Sequence, residues 1–213
     1  MSNLFSSSIG KKLVMSISGL FLIMFLLVHV TANLFILAGK EAFDTACDVM
    51  GYMAPIVPIL AAGFIVHILY AFILTLHNRK ARPVKYKVQD LKNSSTWQSR
   101  NMFVLGIIVF GVLALHLCDF WAKMQLQHFM GLHGENGYEL AIAKFQNPVY
   151  VGIYTIWIVA LWYHLRHGFW SAFQTVGLAN QIWIKRWQCI ANIYAFVVAA
   201  GFIIIPIYVF LFL

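Results

Sequence analysis

The sequence predicts an all-α integral membrane bundle of five transmembrane helices, and three observations carry that expectation. The 213 residues are 62% hydrophobic and 10% charged, against about 45–50% and about 25% in soluble domains. Five intervals contain no Asp, Glu, Lys or Arg: Leu13 to Gly39, Val49 to Asn78, Asn101 to Cys118, Phe145 to Leu165 and Trp187 to Leu213. Runs such as Gly19-Leu20-Phe21-Leu22-Ile23-Met24-Phe25-Leu26-Leu27 lack the period-two polarity of a membrane β-strand. The mean hydropathy of +0.79 sets aside a soluble or nucleic-acid-binding reading of the net charge of +8.

Crossing the hydrocarbon core takes roughly 17–25 apolar residues. Four intervals meet that length outright, and the third meets it with Asp119 at the membrane edge. The spans are therefore placed near 13–38, 56–77, 101–122, 148–176 and 188–212, in a single domain covering 1–213. The first span is too long for a signal-peptide core, and no cleavage site precedes it, so no cleavage is expected. The N-terminus, the 79–100 loop and the 166–186 stretch hold 12 of the 15 Lys and Arg residues and one acid, Asp90. The opposite connections hold Lys40, Lys123 and Lys144 with Glu41, Asp44, Asp48, Asp119, Glu135 and Glu139. By the positive-inside rule the N-terminus is cytoplasmic and the C-terminus periplasmic, as for a multi-pass protein of a bacterial inner membrane. Cys47, Cys118 and Cys189 are scattered, which supports neither covalent haem attachment nor a zinc–cysteine site.

The histidines carry the chemistry. Four of the eight lie within predicted spans: His29 in the first, His67 in the second, His116 in the third and His164 in the fourth. Ionisable residues inside a membrane are costly and mark functional sites. At about 1.5 Å per residue, His29 and His116 both lie roughly 24–25 Å from the cytoplasmic ends of their helices, and His67 and His164 roughly 18–20 Å. This gives two His pairs, each from two different helices. Such pairs suit six-coordinate haem iron in a bundle. A di-iron site needs inward Glu residues, zinc needs three or four converging ligands, and a proton or ion relay typically includes Asp or Glu. Two b-type haems fit the residues better than any of these.

The chain also resembles a known family, the cytochrome b subunits of succinate dehydrogenase and fumarate reductase with five helices and two haems. The resemblance runs from about Ser6 to the C-terminus. It rests on Ser7-Ser8-Ile9-Gly10-Lys11-Lys12 leading to Ser18-Gly19-Leu20, on Val66-His67, and on the stretch from Tyr163 to Gly177. In that stretch the family's ligand is followed by Gly at the fourth and thirteenth positions, which His164 satisfies with Gly168 and Gly177 and His167 does not. The resemblance implies iron ligation by His29 with His116 and by His67 with His164. It also implies an iron–sulfur subunit and a flavoprotein with covalent FAD as partners. The quinone it implies is menaquinone in many dihaem members. Some members carry a Glu two residues before the ligand of the fourth helix, and this chain has Trp162 there, which puts proton transfer by that route in doubt.

Lesser candidates have two readings each. His77, beside Arg79 and Lys80, is an interfacial residue or a contact to a haem propionate or quinone. Arg166 pairs with a propionate or snorkels to headgroups. His167 reads as packing, and His128 and His133 as solvated. Gly19, Gly63, Gly106 and Gly111 make room for haem edges or for helix packing. Asn33, Asp44, Asp48 and Asp119 are candidate quinone contacts, with ordinary surface roles as the alternative. The basic loop from Arg79 to Lys92 enforces topology at anionic lipid or docks the soluble partners. No dicarboxylate or flavin motif occurs, so succinate or fumarate chemistry belongs to another subunit. The alternatives are a cytochrome b of a hydrogenase or formate dehydrogenase, and a haem-free transporter.

Overall fold

The structure, a computed structural model, describes residues 7–52, 54–80 and 95–213. Every regular element among them is helical. Helix α1 (Ser8–Leu34) continues as a 3-10 turn (Phe35–Ala38). Gly39, at φ 98°, then turns the chain into α2 (Lys40–Tyr52). Next come α3 (Val57–Lys80), α4 (Trp97–His116), a π-helical segment (Leu117–Leu126) ending in the helical turn Gln127–Phe129, α5 (Gly137–Phe145), α6 (Pro148–Thr175) and α7 (Trp183–Phe212). Five of these stretches are long and apolar enough to cross a membrane: Ser8–Ala38, Val57–Lys80, Trp97–Phe129, Pro148–Thr175 and Trp183–Phe212. The protein is a multi-pass membrane protein. Much of the basic 79–100 loop, including Arg82, Lys85, Lys87 and Lys92, lies outside the described residues.

The third span runs further than its charges suggest. The sequence places its end near 122 with Asp119 at the membrane edge, yet helical structure persists to Phe129. Asp119 is buried and accepts a hydrogen bond from Lys144 Nζ at 2.8 Å, so its charge does not force the helix end into water.

The chain forms two units. One comprises Met1–Phe25, Pro55–Leu105 and Tyr163–Ala195; the other comprises Leu26–Ala54, Gly106–Trp162 and Phe196–Leu213. Helix α3 lies within the first, whereas α1, α4, α6 and α7 each contribute to both. In the first unit α7 packs its small residues inward, with Ala191 and Ala195 fully buried, and Tyr194 donates its hydroxyl hydrogen to the Ile23 carbonyl. The end of α6 shows why Gly177 is needed. Leu178 N donates to Phe173 O and Gly177 N to Gln174 O, a Schellman closure whose turning residue sits at φ 84°. Asn180 Oδ1 then accepts from the backbone N–H groups of Ile182 and Trp183 at 3.0 and 2.8 Å and starts α7.

The second unit has a core of Ile36, Phe43, Tyr138, Ala141, Phe145, Tyr154, Ile205 and Val209. Helices α2 and α5 are pinned together over it. Lys40 Nζ donates to Glu139 Oε1 at 2.8 Å and to Asn136 Oδ1 at 3.2 Å, and Asn136 Nδ2 donates to Asp44 Oδ1 at 2.9 Å. The hydrogen bond to Glu139, with the charge of Asp44 beside it, raises the Lys40 pKa above its ordinary value. Burial, reinforced by Asp44 and Asp48, pushes the Cys47 thiol up to about 11.

Candidate functional site

Two pairs of imidazoles face one another, one pair in each unit. In the first unit His67 of α3 and His164 of α6 have ring centroids 6.3 Å apart with planes at 73°. In the second, His29 of α1 and His116 of α4 have centroids 5.9 Å apart with planes at 81°. An imidazole–metal bond is about 2 Å and a ring centroid lies about 1.1 Å behind its nitrogen, so two rings on opposite sides of one metal have centroids roughly 6 Å apart. Both separations fit a metal held between two histidines.

The donor set fits a haem better than a bare ion. Each site offers two imidazoles in mostly apolar surroundings. Among the described residues no three His, Cys, Asp or Glu side chains converge as a metal-binding group. A closed tetrahedral zinc site needs four ligands, whereas a haem brings four of its own and takes two axial histidines. His116, His164 and His167 each bury an Nδ1 with no hydrogen-bond partner among the described residues, so this feature does not set the paired rings apart.

The two pairs have different surroundings. The His116 ring is walled by Phe120, Tyr154 and Trp157, at centroid distances of 5.3, 6.2 and 5.7 Å, and His29 by Phe202 at 5.7 Å. Trp157 is fixed by donating to the Val109 carbonyl at 3.2 Å. Asn33 sits one turn beyond His29, donates to the His29 carbonyl at 2.8 Å and places Nδ2 3.4 Å from the ring's Nδ1. His67 instead meets α1 directly. Its Nδ1 lies 3.3 Å from Met15 O and 3.5 Å from Ser18 Oγ.

The remaining candidates are placed elsewhere. His77, His128 and His133 are exposed. His167 packs its ring on Trp170 at 4.9 Å. Arg166 Nε donates to Asn192 Oδ1 across α6 and α7. Of the four quinone candidates, Asn33 lies against a histidine of the pairs, whereas Asp44 bonds Asn136, Asp48 is exposed, and Asp119 is paired with Lys144. Tyr154 joins that pair, its hydroxyl 3.5 Å from Asp119 Oδ2. Burial works against the Lys144 charge, but the hydrogen bond and negative charge of Asp119, helped by Tyr150, outweigh it and raise the ammonium's pKa. The contacts that Lys144, Tyr154 and Ser18 make were not read from the sequence, although Ser18 lies in the Ser18-Gly19-Leu20 motif. The signal for Ser18 was a polar residue five positions after Leu13, where the uncharged run begins, beside a glycine.

No protein-family profile, curated protein or solved structure matches the chain.

Proposed function

We propose that this chain is the dihaem b membrane anchor of a succinate:quinone oxidoreductase, either a succinate dehydrogenase or a fumarate reductase. The observation that carries the reading is the meeting of four intramembrane histidines as two pairs, with centroids 5.9 and 6.3 Å apart. His67 and His164 hold one haem, and His29 and His116 hold the other. Bound there, the haems supply one-electron transfer between a membrane quinone, menaquinone by the resemblance, and an iron–sulfur subunit attached to an FAD flavoprotein. The protein's part is to present four imidazoles at fixed separations and to keep water from them with apolar and aromatic side chains.

Orientation follows from charge. Of the described charged residues, the first unit holds eight Lys and Arg and no acid, while the second holds three Lys and six acids. The basic ends face the cytoplasm, where the soluble subunits bind, and the C-terminus faces the periplasm of a bacterial inner membrane. Quinone binds beside the His29–His116 pair, where Asn33 supplies an amide. Its protons exchange at the nearer surface, since Trp162 stands where some members of the resembled family carry a Glu. A reduced-minus-oxidised spectrum of the purified complex tests the reading. Two b-type components, copurifying with an iron–sulfur protein and a flavoprotein, are expected. A haem-free preparation overturns it, and a hydrogenase or formate dehydrogenase partner moves the chain to another cytochrome b class.

A further inference from the structure

We propose that Ser18 and Gly19 are positioning residues for His67, and that one turn of α1 forms a socket holding this imidazole with its proton on Nδ1 and Nε2 free as electron-pair donor. The inference rests on the haem reading and deepens it.

The hydrogen bonds fix the proton. Ser18 Oγ donates to Met15 O at 2.9 Å, so its hydrogen is committed and a lone pair faces the ring. His67 Nδ1 therefore sits near two acceptors, Met15 O at 3.3 Å and Ser18 Oγ at 3.5 Å. A bare nitrogen there would oppose two lone pairs, whereas an N–H is shared between them. Sterics fix the position. A Cβ on Gly19 would lie 3.2 Å from His67 Cε1, tighter than most carbon contacts, and 3.4 Å from Nδ1, in van der Waals contact. Residues 15, 18 and 19 are spaced i, i+3 and i+4, so they share one face of α1. Ser18 is buried, which removes solvent as its partner. The arrangement is particular to His67, because His29 Nδ1 faces the Asn33 amide nitrogen, a donor. Partners of this kind orient a metal-binding histidine and set its basicity.

The test compares Gly19→Ala, Gly19→Leu and Ser18→Ala with Gly152→Ala, a glycine where an added Cβ meets nothing within 4 Å. In Gly19→Ala and Ser18→Ala both haems should stay, while the ferric low-spin signature and midpoint potential of one component shift. That component should be the one lost in His67→Ala. Gly19→Leu should lose it, halving the haem per chain, and Gly152→Ala should change neither. Unaltered signatures and potentials in all three socket variants overturn the proposal. A wild-type complex without haem overturns the haem reading instead, and the socket is then judged from 15N spectra of histidine-labelled protein. A protonated Nδ1 on His67 that is lost in Ser18→Ala supports it, and a protonated Nε2 in the wild type overturns it.

Discussion

Asp119 is an acid inside a membrane-spanning stretch, and Lys144 is what makes that tolerable. Their 2.8 Å contact is largely shielded, with side-chain exposures of 11% and 18%. Removing one partner of a buried pair leaves an uncompensated charge and costs about 3 kcal/mol, while replacing both is close to neutral. Lys144→Met should therefore lower the melting temperature of the detergent-solubilised protein markedly, and Asp119→Leu with Lys144→Met should restore much of it. A double variant no better than the worse single variant would show that the pair is not the coupling unit. The histidines give the second residue-scale prediction. His29→Ala and His116→Ala should remove the same component from the redox titration, and His67→Ala and His164→Ala the other, while His77→Ala, His128→Ala, His133→Ala and His167→Ala keep both. One component lost in both His29→Ala and His67→Ala, with the other intact, would refute the pairing. The four histidines were legible in the sequence because a polar ring in an apolar run stands out. Lys144 and Tyr154 were not, because their meeting with Asp119 depends on how α5 and α6 return to the π segment, and no spacing rule encodes that.

At the scale of elements, apolar length was the legible quantity. All five spans were anticipated within a few residues at most ends, since an uncharged run of that length has few other stable fates. The exceptions have physical causes. Helix α4 and its π continuation outran the expected end because a partnered Asp119 no longer behaves as a boundary charge. Helices α2 and α5 went unread because each is short and its apolar face is balanced by charges. The start of α5 did leave a trace, since Asn136 Oδ1 accepts from Glu139 N at 3.1 Å in the Asn-x-x-Glu pattern of a helix start. The tie between α5 and the π segment also has a pH signature. Lys144 binds its proton more tightly when folded, so its stabilising contribution is fully present below the unfolded lysine value of about 10.4 and is lost as pH rises through the higher folded value. Melting temperature should fall across that alkaline range in the wild type and fall less steeply in Lys144→Met; parallel curves would remove Lys144 as the cause. Helix termination is testable at Gly177, where φ is 84°. An L side chain in that region costs about 1–2 kcal/mol, so Gly177→Ala should destabilise the protein by that order, read as a lowered melting temperature with both haem signatures unshifted.

For the whole molecule, the decisive pattern is the segregation of charge. Twelve of the fifteen Lys and Arg residues fall in the N-terminus, the 79–100 loop and the 166–186 stretch. The spans alternate direction, so all three segments share one side. Positive residues near span ends resist translocation, and on that ground the proposed orientation puts this side in the cytoplasm. A C-terminal alkaline phosphatase fusion should then be active, and a fusion after residue 90 inactive; the reverse result would invert the topology. On the proposed function, the same basic side receives the soluble subunits. Lys85 and Lys87 lie in its longest connection, and each basic residue there also contributes about 1 kcal/mol to attraction for anionic lipid, so insertion must be controlled for. Lys85→Glu with Lys87→Glu should leave insertion and both haem signatures intact while the iron–sulfur and flavoprotein subunits wash off the membrane at lower salt than in wild type. Electrostatic docking weakens with ionic strength because the Debye length contracts from about 10 Å at 0.1 M to about 3 Å at 1 M. The variant should therefore differ from wild type most at intermediate salt. Release at the same salt concentration in both proteins, with haem and topology unchanged, would show that the partners are held by another part of the surface.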